Sequence, residues 1–320
     1  MKILVYGAGV IGTLYAARLQ AAGHHVTVLA RGARLAQIQQ HGLVVEEAVT
    51  GIRSSVRVAT VDELGAQDAH DVAIIAVRYD QLPAVLPSLA AAPMIPIVLF
   101  MLNNPRGSTQ LVDALGPDRV SLGFPGAGGM MEDHIARYVL IAQQPTTIGE
   151  PQGIRTAHPK ALAELMRTAG FPARTDSDME GWLISHAFFV TSVCSAIYLA
   201  GGDCMRLSSN RAAMELMVDA VREGFKTVHA LGYAVHPIPL KVLFSFLPRP
   251  ITIHYWQRFF SQPIADLTFG QHARHAVTEV RALAAECSLL LRKSGMKSPA
   301  LHQLYQSIDE YAALSQTDQS

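Results

Sequence analysis

The opening stretch MKILVYGAGVIG constrains this chain more than any other feature. Lys2 to Tyr6 is a short apolar and β-branched run that ends on Gly7-Ala8-Gly9-Val10-Ile11-Gly12. TLYAARLQAAG then carries apolar residues at helical spacing until Gly23 stops it. In the order strand, glycine turn, helix, the first glycine permits a tight turn, the second the close approach of a pyrophosphate, and the third the packing of helix on strand. Negative phosphate would rest on the helix N-terminus, where free N–H groups and the helix dipole favour it. A dinucleotide site at Gly7, Ala8, Gly9, Val10, Ile11 and Gly12 is the expectation.

The alternation continues. HVTVL (residues 25–29) reads as a second strand, and VAIIAV (72–77) and IVLFML (97–102) are fully apolar runs of the kind buried in a parallel sheet. A helical pattern at residues 82–91 falls between the last two. Short strands alternating with helices predict an α/β fold with an N-terminal Rossmann-type doubly wound parallel sheet. Past residue 159 the spacing turns helical, most clearly over 160–169, 181–199, 211–231 and 276–294. A mainly α-helical C-terminal domain is therefore expected, with a Rossmann domain at 1–175 and a helical substrate or dimerisation domain at 176–320. Between Pro237 and Pro263 five prolines interrupt any long helix, and clustered aromatics there suit a core or a dimer contact.

Which dinucleotide is bound follows from the end of the second strand. NAD binders place Asp or Glu there for the ribose 2′-hydroxyl, whereas this chain reads Leu29-Ala30-Arg31-Gly32-Ala33-Arg34. Guanidinium groups in place of a carboxylate suit the 2′-phosphate of NADP.

With 26 basic and 26 acidic residues among 320 and no run of either sign, no nucleic-acid stripe or polybasic membrane patch is present. Cys194, Cys204 and Cys287 lack ligand spacing and sit in apolar segments, as buried free thiols of a reducing compartment do, and no metal site is expected. The apolar run before Gly7 is too short for a signal-peptide core, so a cytoplasmic protein is expected. EGWLISHAFFVTSVCSAIYLAGG (180–202) has the length of a membrane span, but its histidine, its hydroxyl groups and the lack of basic flanks favour a buried helix of a two-domain protein.

The chain resembles the ketopantoate reductases along nearly its whole length. The resemblance is carried by GAGVIG with Arg31 after the second strand, by Val77-Arg78-Tyr79-Asp80-Gln81, by Leu102-Asn103, by EGFKTVHALG (223–232) and by Thr278-Glu279. It implies an NADPH-dependent oxidoreductase of pantothenate biosynthesis that reduces a small carbonyl substrate, a 2-oxo acid, to the 2-hydroxy acid. It also implies that Arg31 holds the 2′-phosphate, that Arg78 stands where the family usually has lysine, that Asn103 lies between nicotinamide and substrate, and that Glu279 lies beside the cofactor. The family's catalytic lysine and the two asparagines after it correspond here to Ile184, Phe188 and Ser192. Ketopantoate itself, or a less polar analogue contacting those three residues, is the expected substrate. The alternative is a non-catalytic NADP-binding protein, a sensor or a degenerate member without the lysine.

A replacement for the lost acid is sought on the other wall. His272, His275 and Glu279 run as H-x-x-H-x-x-x-E and would share one face of a continuous helix. On that pattern His275, supported by Glu279, is the expected proton donor, while His186 is read as a core histidine. The apolar helices and the aromatic stretch make a homodimer the expected assembly.

Overall fold

The computed structural model describes residues 1–317, so the last three positions of the expected second domain lie outside the described residues. The chain divides into two compact units, one made of residues 1–102 and 107–179, the other of 103–106 and 180 onward.

The first unit contains twelve strands among the described residues: β1 Lys2–Tyr6, β2 His25–Leu29, β3 Leu43–Glu47, β4 Arg53–Val56, β5 Ala59–Val61, β6 Val72–Ile75, β7 Val98–Met101, β8 Val120–Phe124, β9 Ala127–Glu132, β10 Ile135–Leu140, β11 Thr146–Gly149 and β12 Ala173–Thr175. Eight form one sheet in the order β12-β11-β8-β7-β6-β1-β2-β5, parallel except where β11 meets β8. Helices α1 Val10–Ala21, α2 Gly32–His41, α3 Leu82–Ala90, α4 Thr109–Leu115 and α5 His158–Thr168 belong to the same unit. The core strands are buried on both faces, with β6 and β7 buried at every position, which is why they read as unbroken apolar runs.

From β1 the strand order runs through β2 on one side and through β6 and β7 on the other, so it reverses at the β1–β6 pair. Ligands of such sheets bind outside the carboxyl ends of the strands at this reversal. A second sheet, in the order β4-β3-β10-β9, was not anticipated. It forms around the parallel pairing of β3 with β10, residues far apart in sequence.

In the second unit α6 Met179–Leu199 is followed by α7 Cys204–Ser209, α8 Arg211–Ala230, α9 Ile238–Lys241, α10 Arg249–Phe260, α11 Pro263–Ala265, α12 Gln271–His275, α13 Val277–Ser294 and α14 Pro299–Thr317. Short π-helical segments at Val242–Phe246 and Asp266–Gly270 carry the chain past the prolines. The aromatic residues of this region fill a core: Trp256 stacks on Phe244 at 5.8 Å, lies 5.5 Å from Phe189, and is buried with Phe260.

Helix α6 is long and apolar enough to cross a membrane, yet 94% of its most apolar window is buried within the protein. Three of its hydroxyl groups are satisfied along the helix itself. Ser185 donates to the carbonyl of Gly181, Thr191 to that of Ala187 and Ser192 to that of Phe188, each at 2.7 Å. Such back-bonding lets small polar residues occupy an apolar interior without unpaired groups.

Candidate active site

The glycine turn is built as its spacing demands. Gly7 has φ +103°, and a Cβ there would lie 2.5 Å from the carbonyl oxygen of Ala76. A Cβ on Gly12 would overlap the carbonyl oxygen of Gly7, so the third glycine is what allows α1 to pack against β1. Gly9 differs: it is exposed, its Cβ direction is open, and it is the N-cap of α1 with no side-chain cap and no acidic residue in the first turn. The free N–H groups of a twelve-residue helix therefore meet open space above Gly9. A dinucleotide pyrophosphate fits these residues.

Arginines 31 and 34 have different surroundings. Arg34 is half-buried and braces the turn: Nε donates to the carbonyl of Ala8 at 2.9 Å and Nη2 to the hydroxyl of Thr13 at 2.8 Å. Burial pulls its pKa below the usual arginine value. Arg31 is exposed two residues past β2, with Nε bonded to the carbonyl of Asp62 at 3.0 Å and Nη2 3.3 Å from the hydroxyl of Tyr6. Arg78 is also exposed and pairs with Asp80 in its own turn at 3.1 Å. Gly7, Arg31, Arg78 and Asn103 each follow the carboxyl end of a strand in the chain, and those four strands, β1, β2, β6 and β7, are neighbours in the sheet.

Asn103 and Glu279 meet. Asn103 is 8% exposed and Glu279 3%, and Asn103 Nδ2 donates to Glu279 Oε1 at 3.4 Å across 176 positions of sequence. Asn103 Oδ1 is buried without a hydrogen-bond partner among the described residues. The other carboxylate oxygen, Glu279 Oε2, lies 3.8 Å from Nε2 of His272. One carboxylate thus reaches both an amide and an imidazole.

The expected face shared by His272, His275 and Glu279 is not formed. Ala276, with φ −125° and ψ 33°, breaks the helix between α12 and α13. His275 is left exposed, and the imidazole beside Glu279 belongs to His272. No glycine or proline marks the break, so sequence spacing alone could not show which imidazole lies beside Glu279.

The positions aligned with the family's lysine and asparagines are interior. Ile184 is 2% exposed, and Phe188 and Ser192 are fully buried. Phe188 packs on α8: a Cβ on Gly224 would stand 2.7 Å from its own Cβ. Ser192 gives its hydroxyl to the backbone of α6. Phe188 and Ser192 thus take part in helix packing within the second unit. His186 is buried beside Trp182, their rings stacked 5.2 Å apart, as read for a core histidine. Burial, and secondarily the neighbouring His272, push its pKa down to about 3, so it is neutral at physiological pH.

The family model for ketopantoate reductase PanE/ApbA matches residues 3–153. The chain is similar to the ketopantoate reductases. It is 33% identical over 215 residues to a 2-dehydropantoate 2-reductase of Mesorhizobium japonicum, covering 57% of this chain and 63% of that one, a little under two thirds of the relative. A second 2-dehydropantoate 2-reductase, from Aquifex aeolicus, is 24% identical over 93% of both chains. The fold is shared with a solved D-mandelate dehydrogenase bound to NADH and anilino(oxo)acetate, at TM-score 0.78 and 17% identity, over 97% of this chain and 98% of that one.

Proposed function

We propose that this protein is an NADPH-dependent reductase that converts a 2-oxo acid with an apolar side chain into the 2-hydroxy acid. The observation that carries the proposal is the buried Asn103–Glu279 hydrogen bond: it joins a residue that closely follows β7 in the chain to a carboxylate of α13. Gly7 to Gly12 would cradle the pyrophosphate, and Arg31, exposed where NAD binders carry a carboxylate, would take the 2′-phosphate. Arg78 would approach the phosphates from the neighbouring strand end, at the cost of its pairing with Asp80. When bound, the reduced nicotinamide supplies the hydride.

Asn103 Oδ1, buried and unpaired among the described residues, is an acceptor waiting for a donor, and the nicotinamide carboxamide or a substrate group would meet that need. Ile184 in place of lysine removes a polar anchor, which favours a less polar substrate than ketopantoate. The D-mandelate dehydrogenase neighbour, held with an aromatic 2-oxo acid analogue, supports that class. A cytoplasmic homodimer is the proposed setting, on the basis of the sequence alone.

The test is a fluorescence titration with NADPH and with NADH, followed by turnover with ketopantoate and phenylglyoxylate. The proposal expects tighter binding of NADPH and faster turnover of phenylglyoxylate. Preference for NADH would remove the role given to Arg31, and preference for ketopantoate would remove the substrate class.

A further inference from the structure

Negative charge builds on the carbonyl oxygen as hydride reaches the carbonyl carbon, so the site needs a proton donor. With isoleucine at position 184, α6 offers no lysine there. We propose that His272 is the catalytic acid, oriented by Glu279. The inference rests on the reductase activity proposed above.

Three observations carry it. Nε2 of His272 is enclosed, has no hydrogen-bond partner among the described residues, and lies 3.8 Å from Glu279 Oε2. The side chain nevertheless keeps 31% of its surface exposed, so the surface it presents to its surroundings belongs to atoms other than the enclosed Nε2. Glu279 in turn holds Asn103, which follows β7 in the chain, and the carboxyl ends of such strands are where cofactor and substrate are expected. A carboxylate behind one ring nitrogen fixes the ring and stabilises its charged form, and the other nitrogen is then free to transfer a proton. Neutral His186 neighbours His272 and adds no charge of its own.

The step balances. The carbonyl π bond breaks, a C–H bond forms with the electron pair of the hydride, and an O–H bond forms with the proton leaving Nδ1. The products are the 2-hydroxy acid, a neutral imidazole and the oxidised dinucleotide. Solvent then returns a proton to the ring.

The experiment compares the wild type with His272→Gln, His272→Ala and His275→Gln. Turnover of phenylglyoxylate and ketopantoate with NADPH is measured, and calorimetry reads the binding of oxamate, an unreactive 2-oxo acid mimic, to the protein with NADPH present. His272→Gln should lose about 10²- to 10⁴-fold in kcat, the usual range for a removed general acid, with the KM for NADPH within threefold. Oxamate should bind His272→Gln about tenfold more weakly, free imidazole should restore turnover to His272→Ala, and His275→Gln should behave as wild type. Unchanged kcat in His272→Gln with an active wild type overturns the assignment and leaves the reductase standing. A wild type that binds NADPH but turns over neither acid overturns both.

Discussion

Arg34 Nε donates to the main-chain carbonyl of Ala8 at 2.9 Å, tying the start of α2 to the middle of the glycine turn. An arginine that the sequence offered as a phosphate ligand is thus part of the scaffold that shapes the glycine turn. Replacing it leaves the Ala8 carbonyl and the Thr13 hydroxyl without their donor. Arg34→Ala should cost about 1–3 kcal/mol of stability and weaken NADPH and NADH equally. Arg31→Ala should leave the melting temperature unchanged and weaken NADPH alone, by about 10- to 100-fold, since a charge-assisted hydrogen bond contributes about 1.5–3 kcal/mol. Thermal melts and paired titrations separate the two.

Gly9 and Gly12 sit in one motif with opposite demands. Gly12→Ala should fail to give a stable fold, because the new methyl group would overlap the Gly7 carbonyl. Gly9→Ala should fold with less than about 1 kcal/mol lost, the range for a weakened helix cap, yet bind dinucleotide at least about tenfold more weakly as its methyl group enters the phosphate space. Equal binding by wild type and Gly9→Ala would remove the phosphate from the N-terminus of α1.

How much of this was legible in the sequence depends on the kind of signal. Strands β1 and β2 match the apolar runs at 2–6 and 25–29 residue for residue, because flanking turns and helices leave no other register. The four-stranded sheet has no such signature: β4 (RSSV) and β9 (AGGMME) carry weak strand composition, each pairs with its neighbour in the chain, and the two hairpins are joined by the pairing of β3 with β10, which is distant in sequence and invisible in local pattern. At the site, Glu279 and Asn103 stood out through a resemblance. Spacing could not show that α12 ends at Ala276, since alanine is an excellent helix former and the break is set by tertiary packing.

His186 gives the protein a specific acid sensitivity. Its folded-state pKa, about 3, lies below the ordinary histidine value of 6.5, so the unfolded chain binds the extra proton between those limits. Stability is therefore fully present above pH 6.5 and falls as pH drops toward 3, by up to about 1.4 kcal/mol per pH unit from this group. Urea unfolding at a series of pH values should show a shallower loss over that window for His186→Phe than for wild type.

Phe188 and Gly224 mark the close approach of α6 and α8. Phe188→Ala should destabilise by about 3–5 kcal/mol, as expected for a fully buried aromatic side chain. Gly224→Ala should also destabilise, by about 1–3 kcal/mol from overpacking, although it lies away from the proposed site residues. Denaturant midpoints check both, and a Phe188→Ala variant of wild-type stability would return that side chain to the ligand.

If the Asn103–Glu279 pair belongs to a working reductase site, removing either partner must slow the chemistry. The decisive measurement is the consumption of NADPH with phenylglyoxylate, followed by absorbance, for wild type, Asn103→Ala and Glu279→Gln. Turnover by the wild type, with about a tenfold or greater loss in kcat for each variant and little change in the KM for NADPH, is the predicted result, since each substitution removes a group worth about 1.4 kcal/mol or more in the transition state. Variants that reduce the acid as fast as the wild type, or a wild type that binds NADPH and consumes none, would contradict it.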